Sequence, residues 1–177
     1  MEILKTILII LALVILALLI YAAMKPKAFR LERSTNIKAS PEKVFSLVND
    51  FRQWSHWSPW DKMDPDLKRT YSGAPSGVGT AYAWQGNTKV GEGKMEIIQS
   101  VPSKLISLKL DFLKPFEAHN ITDFTFTPQG AETMVNWAMH GPQPFMARLM
   151  TIFFNMEKMV GPDFEKGLAS MKSLAEK

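Results

Sequence analysis

Hydrophobic residues follow two different patterns along this chain. Thr6 to Met24 is a run of 19 uncharged residues, nearly all Ile, Leu, Val and Ala. As a helix this run would be about 28 Å long, close to the bilayer hydrocarbon thickness of about 30 Å. After residue 28 the apolar residues alternate or recur at helical spacing, and Gly- or Pro-containing turns separate them. The first pattern predicts a membrane-spanning helix, and the second predicts a folded domain.

The apolar run favours a retained single-pass anchor over residues 6–24, with a cleaved signal peptide as the alternative. The run is longer than the usual signal-peptide core of about 7–15 residues. The sequence Tyr21-Ala22-Ala23 also places a bulky residue where a cleavage site needs a small one. A buried core helix is disfavoured because the run has no polar side. We therefore divide the chain into an anchor with its flanks, residues 1–27, and one domain, residues 28–177.

The basic residues around the run predict its orientation. More of them follow the run than precede it, namely Lys25, Lys27, Arg30 and Arg33 against Lys5. Because positively charged flanks stay on the cytoplasmic side, the domain is expected in the cytoplasm.

The pattern after residue 28 predicts a sheet with helices before and after it. Phe29–Lys38 alternates as a strand, and Ser40-Pro41 is typical of a helix start. Trp54 and Trp57 are three residues apart, so a short helix would place both on one face. Six further strands are predicted, at Leu67–Tyr71, Gly79–Gln85, Lys89–Val101, Lys104–Leu113, Ala118–Thr127 and Ala131–His140.

Apolar residues at helical spacing from Phe145 to Val160 predict a long C-terminal helix, kinked or broken at Gly161-Pro162. A sheet of this width curls, and the last helix can bury its apolar stripe in the concave face. The predicted fold class is therefore α+β: a curled antiparallel sheet of about six to seven strands around a long C-terminal helix. One N-terminal transmembrane helix precedes it. A cavity between sheet and helix is expected.

Charge and composition exclude several functions. The chain has 177 residues and a net charge of +4, but residues 1–27 hold three of its 21 basic and one of its 17 acidic residues. The domain thus carries only about +2, without the basic stripe that nucleic-acid binding needs. The sequence contains no Cys. This excludes disulfide scaffolds, Cys-ligated metal sites and thiol catalysis.

No motif for catalysis, a cofactor or a metal is recognised. The three histidines, His56, His119 and His140, are far apart in sequence, and only His119 has a carboxylate at strand spacing, Asp123. The aspartates of residues 61–66 lack the Gly and Glu of a calcium loop, and the glycine-rich segments lack a P-loop lysine. We predict no catalytic residues, no metal ligands and no cofactor.

The chain resembles the START/Bet v 1-like (SRPBCC, polyketide cyclase/dehydrase) superfamily, in particular bacterial members with an N-terminal membrane segment. The resemblance covers residues 29–176 and is carried by the first strand and its entry into the helix, by the tryptophan segment, and by the final helix. These segments are Arg33–Phe45, Phe51–Trp54, Trp57–Trp60 and Gly161–Leu168. The resemblance implies a helix-grip fold. Members of the superfamily include lipid carriers, sensors of hydrophobic ligands and ring cyclases, so it leaves the function open.

Three functions remain possible from the sequence. The preferred one is membrane-anchored binding of a hydrophobic small molecule or lipid in the cavity, with no protein partner identified. The second is a cyclase or hydrolase using the same cavity, with Tyr82, His119, Asp123 or His140 pointing inward. The third is a structural or interaction module whose own aromatic side chains fill the interior.

The candidate cavity walls come from the aromatic and apolar residues of the strands, the tryptophan segment and the methionine-rich final helix. The tryptophans could instead plug the first helices against the sheet, and the methionines could simply pack the core. The candidates are Trp54, Trp57, Trp60, Tyr82, Trp84, Leu108, Leu110, Phe124, Phe126, Trp137, Met150 and Phe153.

Overall fold

The computed structural model describes all 177 residues as one long exposed helix followed by a sheet-and-helix domain. The helices are α1 (Glu2–Met24), α2 (Pro41–Asn49), α3 (Trp54–Trp57), α4 (Phe145–Met150) and α5 (Met156–Ala175), with 3₁₀ turns at Phe51–Gln53 and Trp60–Lys62. The strands are β1 (Ala28–Ile37), β2 (Lys68–Gly73), β3 (Thr80–Gln85), β4 (Glu92–Val101), β5 (Leu105–Lys114), β6 (Ala118–Gln129) and β7 (Glu132–Pro142).

The seven strands form one antiparallel sheet in the order β1-β7-β6-β5-β4-β3-β2. β2 to β7 form a meander, and β1 crosses over to pair with β7, with Ala28 opposite Pro142 and Ile37 opposite Thr133. Two register irregularities in β4, at Glu92/Gly93 and Ile97/Gln99, bend the sheet as bulges do. The α+β helix-grip prediction is confirmed.

The start of α2 and the tryptophan segment fold as the sequence predicts. The Ser40 hydroxyl accepts a hydrogen bond from the Lys43 amide (3.4 Å), with Pro41 in the first helical position. Trp54 and Trp57 lie on one face of α3, with ring centroids 4.7 Å apart. Their indole N–H groups donate to the carbonyl oxygens of Val48 (3.0 Å) and Leu47 (2.9 Å). The two tryptophans thus satisfy carbonyls at the end of α2, which would otherwise have no partner.

α5 packs across the concave face of the sheet through a stack of aromatic rings. The Trp137 ring lies between Phe164 (centroids 4.1 Å apart) and Phe124 (4.9 Å), both nearly parallel to it. Gly167 lets the helix come this close, because a Cβ there would lie 2.7 Å from the Trp137 ring. The core is therefore built from rings of β6, β7 and α5, and α3 closes it from the side.

Of the two outcomes predicted at Gly161-Pro162, a kink or a break, the break does not occur there. The chain leaves helix after α4, turns at residues 151–153, and starts α5 with the Asn155 side chain accepting from the Lys158 amide (3.1 Å). α5 then continues through Gly161-Pro162. Residues after the proline, such as Phe164, Leu168 and Met171, are buried. Their packing outweighs the roughly 3 kcal/mol that an interior proline costs a helix.

α1 is exposed over almost its entire surface, and Ala22 is its only buried residue. It is therefore not a core helix of the domain. Its 23 residues are long and apolar enough to cross a membrane. It leads into β1 through Lys25–Lys27.

Candidate functional site

The concave face of the sheet holds most of the candidate wall residues. Seven of the twelve are buried in the core: Trp54, Trp57, Tyr82, Leu108, Phe124, Phe126 and Trp137. Three more are partly buried and pack against that core: Trp60, Trp84 and Leu110. Met150 and Phe153 are not brought together with the others. They are 44% and 65% exposed, because α4 and the turn after it lie outside the core.

Burial along the concave face decreases toward the end of the sheet from which α1 emerges. On β5 the inward side chains change from Ile106 and Leu108, which are fully buried, to Leu110 and Phe112, which are half-buried. Trp84, on β3, is also half-buried and stacks edge-on against Phe112 (centroids 5.9 Å apart). Gly93 makes room for Trp84, because a Cβ there would collide with its ring. This end of the concave face is an apolar surface within reach of solvent.

Two polar groups on the inward side of β6 and β7 are buried without a partner. They are the Thr122 hydroxyl and the Trp137 indole N–H. Thr122 is opposite Leu108 on one neighbouring strand and Met139 on the other. Trp137, which is opposite Phe124, is two residue pairs further along the ladder. Native proteins pair nearly all such groups with protein or water, and no protein atom pairs with these two, so each can bond to a water or to a polar atom of a ligand.

Tyr82 is the only one of the four proposed acid/base residues that points inward. Burial is the main cause that raises the pKa of its phenol, and the charge of Asp61 adds to it. Its ring is 5.2 Å from that of Tyr71. Nearby, the Arg69 guanidinium donates to Asp61 at 2.6 Å. The Tyr82 phenol therefore keeps its proton at neutral pH. A cyclase or hydrolase acting in the concave face would have Tyr82 as the only one of the four proposed acid/base residues.

The other three residues lie on the outer, convex face, in two ion-pair clusters. The Ser107 hydroxyl donates to one oxygen of Asp123 (2.6 Å), and His140 Nε2 is 2.9 Å from the other oxygen. Serine and histidine are both bonded to the carboxylate rather than to each other. His140 is therefore not placed to take the proton of Ser107, as a nucleophile–base pair requires.

The second outer cluster surrounds Asp111, whose side chain is nearly buried. His119 Nδ1 is 2.7 Å from one carboxylate oxygen, and Lys109 Nζ is 3.3 Å from the other. Burial alone would raise the pKa of Asp111, but its hydrogen bonds with His119 and Lys109 outweigh burial and lower it. The hydrogen bond with Asp111 in turn raises the pKa of His119. Lys109, His119 and His140 also line an open groove of about 410 Å³ on this face.

The aspartates of the 61–66 loop have structural partners. Asp61 binds Arg69, and Asp64 accepts from the amides of Asp66 (3.0 Å) and Asn87 (2.6 Å). No three His, Asp or Glu side chains converge as a metal site would require.

The structure adds residues that were not among the sequence candidates. Phe112 shares the concave face with Leu110, a pairing that strand alternation does indicate. Phe164 completes the Trp137 stack, and only its place in the helical stripe indicates that it is buried. Nothing in the sequence singles out Thr122 as an unpaired polar group, because pairing depends on neighbours on other strands.

The domain is similar to several solved structures of low sequence identity. Ginseng major latex-like protein 151, from Panax ginseng, has a TM-score of 0.61 at 10% identity, covering 86% of this chain and all of that one. The di-domain ARO/CYC StfQ of the steffimycin biosynthetic pathway has a TM-score of 0.63 at 10% identity, covering 84% of this chain and 51% of that one. Protein CV1439 from Chromobacterium violaceum has a TM-score of 0.59 at 16% identity, covering 86% and 99%. These likenesses show the fold alone.

None of the curated proteins matches the sequence. The family model described as polyketide cyclase/dehydrase and lipid transport matches residues 28–176, which is nearly the whole domain after α1. The seven-stranded sheet, the gripped helix and this match agree with the resemblance read from the sequence. The chain belongs to the polyketide cyclase/dehydrase and lipid transport family.

Proposed function

We propose that the domain binds an apolar small molecule or lipid at the α1 end of its concave face. We further propose that residues 1–27 anchor the domain, residues 28–177, to a membrane as a single-pass protein. The apolar length of α1 supports the anchor. Lys25, Lys27 and Arg30 after α1 favour a cytoplasmic domain. Arg33, which is paired with Glu157 and Glu165, is a fourth basic residue of that flank.

One observation carries the binding proposal: half-buried apolar walls lie beside unpaired polar atoms. Trp84, Leu110 and Phe112 offer apolar contact. The Thr122 hydroxyl and the Trp137 N–H, deeper on the same face, lack partners. Ligand sites combine these two features, an apolar lining and a few polar groups that fix orientation. A ligand with an apolar body and one carbonyl or hydroxyl group has the matching chemistry.

The deep candidates have a different role in this proposal. Five deep residues already contact other core side chains, so a ligand reaches them only if α5 moves away from the sheet. They are Trp54, Trp57, Phe124, Phe126 and Trp137, whose ring is stacked on Phe164 of α5. Trp60, Trp84 and Leu110 need no such movement. Burying about 300 Å² of ligand surface at roughly 25 cal/mol per Å² supplies about 7 kcal/mol before ordering costs are subtracted.

The experiment uses the full chain purified in mild detergent. Native mass spectrometry identifies apolar molecules that co-purify, and titration with a brominated fatty acid measures quenching of tryptophan emission. We expect Leu110→Glu to abolish quenching. Ile98→Glu, at an exposed apolar position on β4, is the matched control and should bind as the natural protein does.

A second variant guards against misfolding of Leu110→Glu. Thr122→Val removes the unpaired hydroxyl with little change in side-chain shape. Losing the hydrogen bond between this hydroxyl and the ligand, about 0.5–1.5 kcal/mol, should weaken binding roughly 2- to 10-fold. A protein that is always empty, with emission unaffected by the fatty acid, would disprove the binding proposal. It would favour a structural module whose own aromatic residues fill the interior.

A further inference from the structure

The exposed large hydrophobic side chains of the domain are concentrated at one end. There are eleven beyond residue 27, and seven of them lie between Phe145 and Met159. Two more, Leu113 and Phe116, lie at the turn between β5 and β6. Only Val78 and Ile98 lie elsewhere. Such a concentration is unusual on a soluble surface and indicates an interaction site.

We define the α4 patch as the exposed side chains of Phe145, Met146, Met150, Phe153 and Phe154. Phe153 and Met146 are both 65% exposed, so the patch is not part of the core. Phe145 and Phe153 belong to the apolar stripe that the sequence pattern predicts for the C-terminal helix, yet both are exposed. The patch therefore needs a partner outside the domain.

Hydrogen bonds hold the α4 patch against the end of α1. Arg148, which is buried, donates through Nη1 to the carbonyl oxygens of Ala23 (2.9 Å) and Lys25 (3.3 Å). The Lys25 ammonium donates to the carbonyl oxygen (2.9 Å) and the hydroxyl (3.1 Å) of Thr151. A cation at a helix C-terminus is favourable because the carbonyl dipoles there point at it. These bonds fix the patch beside the last turn of α1.

This position determines the depth of the patch relative to a membrane. Ala22 is buried, and it is two residues, or about 3 Å of helix rise, from the end of α1 at Met24. If α1 spans a bilayer, the patch lies at the boundary between acyl chains and headgroups. Amphipathic segments bound at a membrane surface bury their apolar face about 5–10 Å into that boundary.

The β5–β6 turn lies at the same end of the sheet. Phe112, near the end of β5, is opposite Ala118 at the start of β6. Ile121, also on β6, is opposite His140 near the end of β7. β7 in turn ends where β1 begins, with Pro142 opposite Ala28, just after α1. Leu113 and Phe116 therefore lie exposed at the α1 end of the sheet, on a second element separate from α4.

We propose that the α4 patch and the β5–β6 turn insert into the interface of the bilayer that α1 spans. The occupant of this surface is the lipid itself, because the surface is continuous with α1 and uses two separate elements at one level. The proposal rests on the proposed anchoring by α1. Its consequence is that the half-buried end of the concave face, with Trp84 and Leu110, opens beside the acyl chains.

The absence of cysteine allows a direct test. Single-cysteine variants Met146→Cys, Phe153→Cys and Phe116→Cys of the full chain are labelled with the fluorophore NBD and reconstituted in vesicles of phosphatidylcholine and phosphatidylglycerol. Val78→Cys, at an equally exposed apolar site elsewhere, is the matched control. Leu11→Cys, in the middle of α1, reports whether the anchor is inserted, because a second set of vesicles, with lipids that carry a spin label deep in the acyl chain, should quench it.

We expect blue-shifted emission at positions 146, 153 and 116, and loss of intensity when the vesicles contain lipids with a spin label near the headgroup. Position 78 should show neither effect. Quenching at position 11 without quenching at 146, 153 and 116 would overturn the interfacial proposal while leaving the anchor intact. No quenching at position 11 would refute the anchor, and the interfacial proposal with it. A blue shift without quenching would mean that protein covers the patch, which also overturns the proposal.

Discussion

Trp137 provides the strongest test of how the interior is organised. Its ring lies between Phe124 and Phe164, it is 2% exposed, and its N–H has no partner. Trp137→Ala leaves a cavity, and aromatic-to-alanine changes in cores cost about 3–5 kcal/mol. Trp137→Phe keeps a ring in the stack. It loses about 1–2 kcal/mol of apolar burial, but it removes an unpaired donor whose burial costs about 1–3 kcal/mol.

We therefore expect Trp137→Phe to lose less than half the stability that Trp137→Ala loses. The matched control is Trp57→Phe, at a position that is fully buried but whose N–H donates to the Leu47 carbonyl. This change loses a similar amount of apolar burial and leaves the Leu47 carbonyl unpaired at a cost of about 1–3 kcal/mol. Because it also lacks the gain from removing an unpaired donor, it should cost about 2–6 kcal/mol more than Trp137→Phe.

Thermal unfolding of the full chain in detergent, followed by near-ultraviolet circular dichroism, measures these differences. For a chain of this size 1 kcal/mol shifts Tm by about 2–4 °C, so Trp137→Ala should lower Tm by about 6–20 °C. Equal losses of stability for Trp57→Phe and Trp137→Phe would refute this prediction. They would mean that the two indole N–H groups do not differ in hydrogen bonding. A ligand that uses the Trp137 N–H adds a further signature, since it should stabilise the natural protein more than Trp137→Phe.

Two further predictions concern charged contacts. A Cβ on Gly161 would meet the guanidinium of Arg33, the movable end of a side chain that pairs with Glu157 and Glu165. Alanine favours a helix over glycine by about 0.5–1 kcal/mol, so Gly161→Ala should raise Tm in an Arg33→Ala background. In the natural protein, where the Arg33 side chain must shift, the rise should be smaller or absent. The hydrogen bond with Asp111 raises the pKa of His119 in the folded protein above its ordinary value of 6.5. Protonated His119 therefore stabilises the fold fully below pH 6.5. This stabilisation is lost as the pH rises through the raised pKa. Urea unfolding across neutral pH should show this fall, and His119→Gln should remove it; an unchanged pH profile would contradict the assigned ion pair.

Local sequence signals account for much of the fold. The run from Thr6 to Met24 predicts α1, and Ser40-Pro41 marks the start of α2, because both depend on neighbours along the chain. Alternation on β5, β6 and β7 correctly groups the inward residues, for example Phe124 with Phe126. Pro162 is a strong local signal for a kink or a break, yet the C-terminal helix does not break there. Burial of Phe164 and Leu168 against distant strands outweighs it.

The candidate site was less predictable from the sequence, because it too depends on contacts between distant parts of the chain. Alternation identifies two faces of a strand but does not say which one is concave, and so His119, Asp123 and His140 are on the outside while Tyr82 is inside. Met150 and Phe153 fit a helical stripe, yet α4 lies beside α1 rather than on the sheet. The sequence by itself determined most of the elements, among them the apolar helix α1, because these follow from residues close together in the chain. Only the tertiary structure decided that Thr122 and Trp137 lack partners, and that the apolar patch meets the end of α1, because those contacts join residues far apart in the sequence.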